Sequence, residues 1–294
     1  MRKNVSQRSL IEYGTFSTED LVQINKCRGM HNKLGFGYQL AFIRLLNYLP
    51  GIKPFEVMEE ILIYSALQLE INTDEIKLYE ANRTKVSDHQ QEIIKYLNYI
   101  LYNATSQTQL EQFVFNEALR LEAHSLLRMQ AINFLKANNI LLPAENTINR
   151  LISSERKKAR KHIFEIIHET LVEKIRVKQG KKEEPSVGII DAQSVKSTLV
   201  SSQDKGFDAG KNIKGIKRHI MVDTLGWILA VVIQSASVQD RDGAISVVNK
   251  LLESWSKIVK IFADAGYRGR LIDTIKTTFK IELEIIKRNE LHTF

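Results

Sequence analysis

At 294 residues, 44% apolar and 26% charged, the chain has room for two domains and the composition of a soluble globular protein. Lys and Arg number 42 against 34 Asp and Glu, a net charge of +8 that favours a polyanionic partner but is equally the mark of a solvated basic surface. A single cysteine, Cys27, excludes an internal disulfide and a multi-cysteine zinc site, and no apolar run approaches a membrane span or a signal-peptide core, so a cytoplasmic protein without membrane association is expected.

Residues 1 to about 175 carry helical periodicity. Ser17-Thr-Glu-Asp20 reads as a capping box ahead of Leu21 and Ile24. Tyr38, Ala41, Phe42, Leu45, Leu46 and Leu49 recur at helical spacing up to Pro50-Gly51. Val57, Ile61, Tyr64 and Leu67 mark the next helix, Asn72 and Glu75 sit at cap spacing, and Ile93, Tyr96, Leu97, Ile100 and Leu101 form a further stripe. Gln109 to Ala137 reads as one long helix closed by Asn138-Asn139, and a last helix is expected from about Ala144 to Val177. The polar, helix-breaking stretch 176–185 reads as a linker. Beyond it come strand-like runs at Val187–Ile190, His219–Val222, Ile228–Ile233, Ile258–Phe262 and Ile281–Ile286, with Asp223-Thr-Leu-Gly226 as a hairpin turn and helical patterns at Asp240–Trp255 and Leu271–Phe279. The organisation is therefore α followed by α/β: a helical domain over 1–175 and a mixed sheet with helices over 186–294.

Two aspartates stand out in the second half. Asp191 closes Val-Gly-Ile-Ile-Asp and Asp264 closes Ile-Phe-Ala-Asp, each at the end of an apolar run that reads as a buried strand. Carboxylates held this way can share divalent ions and activate water or a hydroxyl against a phosphodiester, and oxygen ligands suit Mg²⁺ or Mn²⁺. The plainer reading is a pair of aspartates capping turns. Lys211, Lys214, Lys217, Arg218 and His219 form a basic run able to meet a DNA backbone with little sequence reading, or a soluble loop beside a hairpin.

Four segments in order, Ile189-Ile-Asp-Ala-Gln-Ser-Val-Lys196, Gly206 through Thr224, Ser237-Val-Gln-Asp-Arg-Asp-Gly-Ala244 and Ala263-Asp-Ala-Gly-Tyr-Arg-Gly269, resemble the catalytic domain of insertion-sequence transposases of the IS-five/IS-four type. The resemblance implies a ribonuclease-H-like fold and a site of two Asp and one Glu around two metal ions, with Asp191 as first acid and Asp264 as second. The family's Glu lies on a helix after the last strand. Here Ile281–Ile286 leads to Lys-Arg-Asn-Glu-Leu-His-Thr-Phe, and Glu290 does not match the family motif and reads as a surface residue. An incomplete domain, weakened metal binding and impaired cleavage are therefore expected.

Leu10 through Leu21, Arg28 through Leu40, His89 through Leu97 and Leu141 through Arg150 resemble the N-terminal region of the large Tn-three-type replicative transposases, to about Leu171. That resemblance implies binding to terminal inverted repeats of a mobile element. Ala131 to Arg160 would suit a helix–turn–helix with Thr147, Asn149 and Arg150 on its second helix, and Arg156, Lys157 and Lys158, with Arg160 and Lys161, would extend a basic flank. Plain helical packing with a charged outer face is the other reading. His31 and His89 read as structural. Together the two resemblances imply a chimera joined near Leu171–Arg176: a transposase-derived DNA-binding protein with an incomplete catalytic domain, able to form homo-oligomers, or alternatively a non-catalytic regulator or an inert remnant.

Overall fold

The computed structural model describes residues 5–196 and 205–286; Glu290 lies outside them. The chain divides into two compact units, Met1–Ile163 and Phe164–Phe294.

In the first unit the helices are α1 Gln7–Gly14, α2 Thr18–Asn25, α3 Met30–Leu46, α4 Glu59–Leu69, α5 Glu75–Ala81, α6 Arg83–Tyr96, α7 Ala104–Ala118, α8 His124–Ala137 and the start of α9 Glu145–Lys178. The expected capping box forms: Ser17 Oγ accepts from Asp20 N–H at 3.2 Å and Asp20 Oδ2 accepts from Ser17 N–H at 2.8 Å. Asp20 also takes a two-pronged guanidinium contact from Arg44 at 2.6 Å and the Tyr96 hydroxyl at 2.7 Å, tying α2, α3 and α6 together. Burial alone would raise the Asp20 carboxyl, but these donors outweigh it and hold the group below its ordinary value.

The central helix is α3, buried from Leu34 to Ile43. It passes closely over α5 because Gly35 has no side chain: a Cβ there would sit 2.3 Å from the Tyr79 ring. Tyr79 in turn meets His89 Nδ1 at 2.9 Å and accepts from Gln39 at 2.5 Å. Burial, then the Lys85 charge, lower His89 to about 4, so it is a neutral core histidine, as expected.

Three expectations need correction. α3 ends at Leu46, not at Pro50-Gly51, because Asn47 turns left-handed at φ 58°. There its amide donates to the Ile140 carbonyl at 2.9 Å and its own carbonyl accepts from Leu142 N–H at 2.7 Å. The stripe from Ile93 does not continue through Ile100 and Leu101: α6 ends at Tyr96, and Ile100 forms a parallel bridge with Ile140. The long helix over 109–137 is two helices, α7 and α8, with a turn at 119–123 that lets Phe113 stack on Phe134 at 4.5 Å. Their second core joins Leu110, Val114, Leu127, Ala131 and Leu135 to Ile148 and Ile152 of α9.

The second unit holds β1 Val187–Lys196, β2 Gly206–Asp208, β3 Ile213–Val222, β4 Ile228–Ser235, α10 Asp240–Leu252, β5 Lys260–Ala263, a 3₁₀ turn Ala265–Tyr267, α11 Leu271–Phe279 and β6 Glu282–Ile285. These strands form one mixed sheet in the order β2-β3-β1-β5-β6, with β4 on β3. β1 runs antiparallel to β3 and parallel to β5. The hairpin turn forms as expected, with Gly226 at φ 85° and Asp223 N–H donating to the Trp227 carbonyl at 2.9 Å. Ile190, Met221, Ile261 and Leu283 pack under Val247, Val248 and Leu251 of α10 and Ile275 of α11. Ile189, Val231 and Ile233, of the alternate parity, are exposed. Such a mixed sheet with helices is compatible with a nuclease-like DDE domain.

The division between the units falls inside α9, ahead of the 176–185 stretch. That stretch turns the chain into β1 and is fastened to the sheet by Arg176. Its buried guanidinium donates to the carbonyls of Lys182 and Glu183 at 3.0 and 3.2 Å and pairs with the fully buried Asp223.

Candidate functional site

Asp191 sits inside β1, not at its end. Polar residues Gln193, Ser194 and Lys196 continue the strand because β3 pairs with it as far as Lys196↔Gly215. On its other edge the ladder with β5 stops at Ile189↔Phe262, so Asp191 does lie just past the end of that pairing. Asp191 and Asp264 each lie two residues beyond the last pair of that ladder, and Asp264 keeps extended backbone at φ −80°, ψ −178°. Neighbouring strands lie about 4.8 Å apart, so two carboxylates at such positions are within reach of one ion.

Each uses one oxygen locally. Asp191 Oδ1 accepts from Ala192 N–H at 2.7 Å, and Asp264 Oδ1 accepts from Gly266 N–H at 2.9 Å, capping the 3₁₀ turn. The turn-capping role is thus real for Asp264 and leaves its second oxygen over. Neither carboxylate is ion-paired among the described residues. Mg²⁺ takes one or two carboxylates together with substrate phosphates and keeps several waters, so this pair fits such an ion. Among the described residues no three His, Cys, Asp or Glu side chains gather closely enough to hold a metal by themselves.

The basic run divides by strand parity. Lys211, Lys214 and Arg218 are exposed. Arg218 lies opposite Gln193 and Ile220 opposite Asp191, so Arg218 and Asp191 share one face of the sheet. Lys211 donates to the Ala192 carbonyl at 3.4 Å and lines two shallow concavities of about 350 and 470 Å³. The first contains Asp191 and Gln193; the second contains Asp208, Lys217, Asp240 and Gly266. Lys217 and His219, expected on DNA, are buried and cannot reach a phosphate. Their strand positions point to the side covered by α10, where His219 lies against Gly243: a Cβ on that glycine would fall 2.2 Å from the ring. Lys217 Nζ meets Asp240 Oδ1 at 2.8 Å and Asp208 Oδ2 at 3.4 Å. Asp208 also accepts from Ser194 Oγ and from the amides of Gly210 and Lys211, both at 3.1 Å. The Ser194 contact first, with the amide and Lys217 behind it, draws the Asp208 carboxyl down to about 2.

Asp208 and Asp240 are the site-lining residues that sequence reasoning passed over. The available signal was their place inside two of the four motif segments. Tyr267, in the fourth, is 1% exposed, and its hydroxyl has no hydrogen-bond partner among the described residues.

In the first unit, Thr147, Asn149 and Arg150 fall on the opening turns of α9, after α8, with Thr147 and Arg150 exposed. Lys157 is exposed, Arg156 is half-buried, and Lys158 is exposed but paired with Glu155 at 2.7 Å. No described helix is long and apolar enough to cross a membrane.

Comparison with known proteins divides the chain in the same way. A family described as Domain of unknown function (DUF4158) matches residues 1–154, and a Transposase DDE domain matches residues 182–292. The chain is 26% identical over 181 residues to the transposase for transposon Tn1546 of Enterococcus faecium, covering 62% of the chain and 18% of that protein. It is 28% identical over 173 residues to the transposase for transposon Tn501 of Pseudomonas aeruginosa, covering 59% and 17%. With the transposase for transposon gamma-delta of Escherichia coli it shares 30% over 166 residues, covering 53% and 16%. The chain thus matches less than a fifth of the length of each of these relatives.

Proposed function

We propose that this chain, which belongs to the DUF4158 family through its first 154 residues and matches a transposase DDE domain over 182–292, is a transposase-derived DNA-binding protein of a mobile element. The observation that supports the reading is the parallel β1–β5 register, whose last pair, Ile189↔Phe262, lies two residues before Asp191 and Asp264 alike, within the segment matching that domain. In this reading the two carboxylates hold Mg²⁺ or Mn²⁺, and Arg218, Lys211 and Lys214 neutralise backbone phosphates around them. A divalent ion so bound supplies activation of a water or hydroxyl and stabilises a leaving oxygen. Asp264, fixed by Gly266 N–H, and Asp191, fixed by Ala192 N–H, present their remaining oxygens without rearrangement.

The helical unit binds terminal inverted repeats, with Thr147, Asn149 and Arg150 at the start of α9 facing bases and Arg156, Lys157 and Lys158 meeting phosphates. The two units derive from different transposase families, the chain being a chimera joined within α9 or just after it. Cleavage by the chain is weak, because the two carboxylates offered among the described residues fix one ion loosely where three would fix a pair about the scissile phosphate. In that state it acts as a regulator, competing for element ends with a complete transposase. A strand-nicking assay with Mn²⁺ on supercoiled DNA carrying terminal repeats tests the impairment. Near-background cleavage agrees with it; efficient cleavage abolished by Asp264→Ala overturns it while upholding the acid pair.

A further inference from the structure

The segment Ser237-Val-Gln-Asp-Arg-Asp-Gly-Ala244 has no role in the reading above, yet it delivers a carboxylate to the same place. Asp240 opens α10 and lines a concavity with Gly266. An ideal Cβ on Gly266 would lie 3.0 Å from Asp264 Oδ1 and 3.9 Å from Asp240 Oδ2, so the two carboxylates flank one vacant side-chain position. That position has a carboxylate oxygen on each side.

A second feature adjoins that position. The hydroxyl of Tyr267, the residue after Gly266, is buried and has no hydrogen-bond partner among the described residues, an arrangement that is costly to leave unsatisfied. Burial, and then the charges of Asp240, Asp191 and Asp264, raise its pKa, so the hydroxyl stays protonated and can donate. A carboxylate-bound or metal-bound water in the vacancy would satisfy it.

Asp240 is also held in place. Lys217, only 6% exposed, reaches Asp240 Oδ1 at 2.8 Å while sharing its charge with Asp208, leaving Asp240 Oδ2 on the Gly266 side.

We infer that Asp240 is a third acid of this site, acting from the outer shell of a divalent cation held at Asp264 and Asp191 by orienting one of its waters, with Tyr267 as donor to the same water. The inference rests on the proposed metal-holding role of Asp191 and Asp264. As the side chains stand, the three carboxylates do not close around one ion, which is why Asp240 acts through water. It is a positioning residue: it strengthens the hold on the cation without touching it. Outer-shell partners of this kind commonly contribute about 10–100-fold in metal affinity.

The test is a titration of the full-length protein with Mn²⁺ alone, reading free Mn²⁺ by electron paramagnetic resonance. Asp240→Asn should weaken binding about tenfold. Because Asp240 also neutralises buried Lys217, the double variant Lys217→Gln/Asp240→Asn is measured in parallel; it removes the ion pair whole, and thermal melting verifies that it is folded. Asp242→Asn, an exposed neighbour on α10, should bind like the parent. Affinity within threefold of the parent in a folded Asp240 variant overturns the inference. If Asp191→Asn/Asp264→Asn lowers the affinity and the Asp240 variants do not, only the role of Asp240 falls. If that pair of substitutions leaves the affinity unchanged, the metal reading of the site falls with it.

Discussion

Replacing Arg176 by Met should unfold the second unit at a much lower temperature. The Arg176 guanidinium is 5% exposed and Asp223 is fully buried. Besides Arg176, Asp223 accepts from the amides of Leu225 and Trp227 at 2.9 and 2.8 Å, which set the β3–β4 turn. Without the guanidinium, a buried carboxylate keeps two amide donors but no countercharge, and the carbonyls of Lys182 and Glu183 lose their donor. Breaking a buried pair from one side costs about 3–5 kcal/mol. At roughly 4 °C per kcal/mol for a unit of this size, the melting temperature should fall by about 12–20 °C. Calorimetry of the full chain measures it. The double variant Arg176→Met/Asp223→Asn removes the stranded charge and should recover at least about 2 kcal/mol of that loss, a coupling a double-mutant cycle reads directly. A shift below about 4 °C for Arg176→Met, or no coupling, would refute the claim that this pair ties the end of α9 to the sheet.

Three further outcomes are expected. His89 is lowered to about 4 in the fold against an ordinary value near 6.5, so the unfolded chain binds the extra proton between these values. Its contribution to the first unit is complete above about pH 6.5 and is lost as pH falls toward 4, by about 3 kcal/mol at most; urea midpoints across that range should show the slope, and His89→Gln should flatten it. Gly35→Ala drives a methyl to 2.3 Å from the Tyr79 ring and should destabilise the first unit by at least about 2 kcal/mol in the same urea assay, while an unchanged midpoint would mean α3 and α5 can separate freely. Arg156→Ala/Lys157→Ala/Lys158→Ala should weaken DNA binding about equally for all sequences and lower the salt slope by about 1–2 rather than 3, since Lys158 is already paired with Glu155; fluorescence anisotropy across salt concentrations checks both.

The sequence made legible what rests on apolar periodicity and left hidden what rests on pairing. The buried halves of β1, β3, β4, β5 and β6 were visible as runs of Val, Ile, Leu and Phe, and the Ser17 cap as a local pattern. The second half of β1 and the short β2 were not, because Gln193, Ser194 and Lys196 carry no strand signal and are held by β3. Lys217 and His219 looked like part of one basic surface. Their burial follows from parity with Met221, and for Lys217 from two carboxylates, Asp208 and Asp240, brought in by neighbouring elements. The break between α7 and α8 has neither Gly nor Pro at 119–123, so helical periodicity ran through it. Asp191 and Asp264 stood out as residues, but the parallel β1–β5 register, whose last pair lies two residues before each of them, is encoded by no local pattern. Asp240 was hidden for another reason: an Asp at the first turn of a helix is accounted for by the helix dipole alone.

The measurement that bears most directly on the central claim is binding of the full chain to DNA carrying mobile-element terminal repeats, in competition with random DNA of equal length across salt concentrations. Phosphate contacts alone give equal affinity and a steep salt dependence, whereas base contacts from the start of α9 add a preference that survives high salt. The account predicts a preference for repeat DNA of at least about tenfold, reduced by Arg150→Ala, on top of a steep salt slope that depends on Lys157 and its neighbours. Absence of DNA binding at low salt, or binding with no salt dependence, would contradict it.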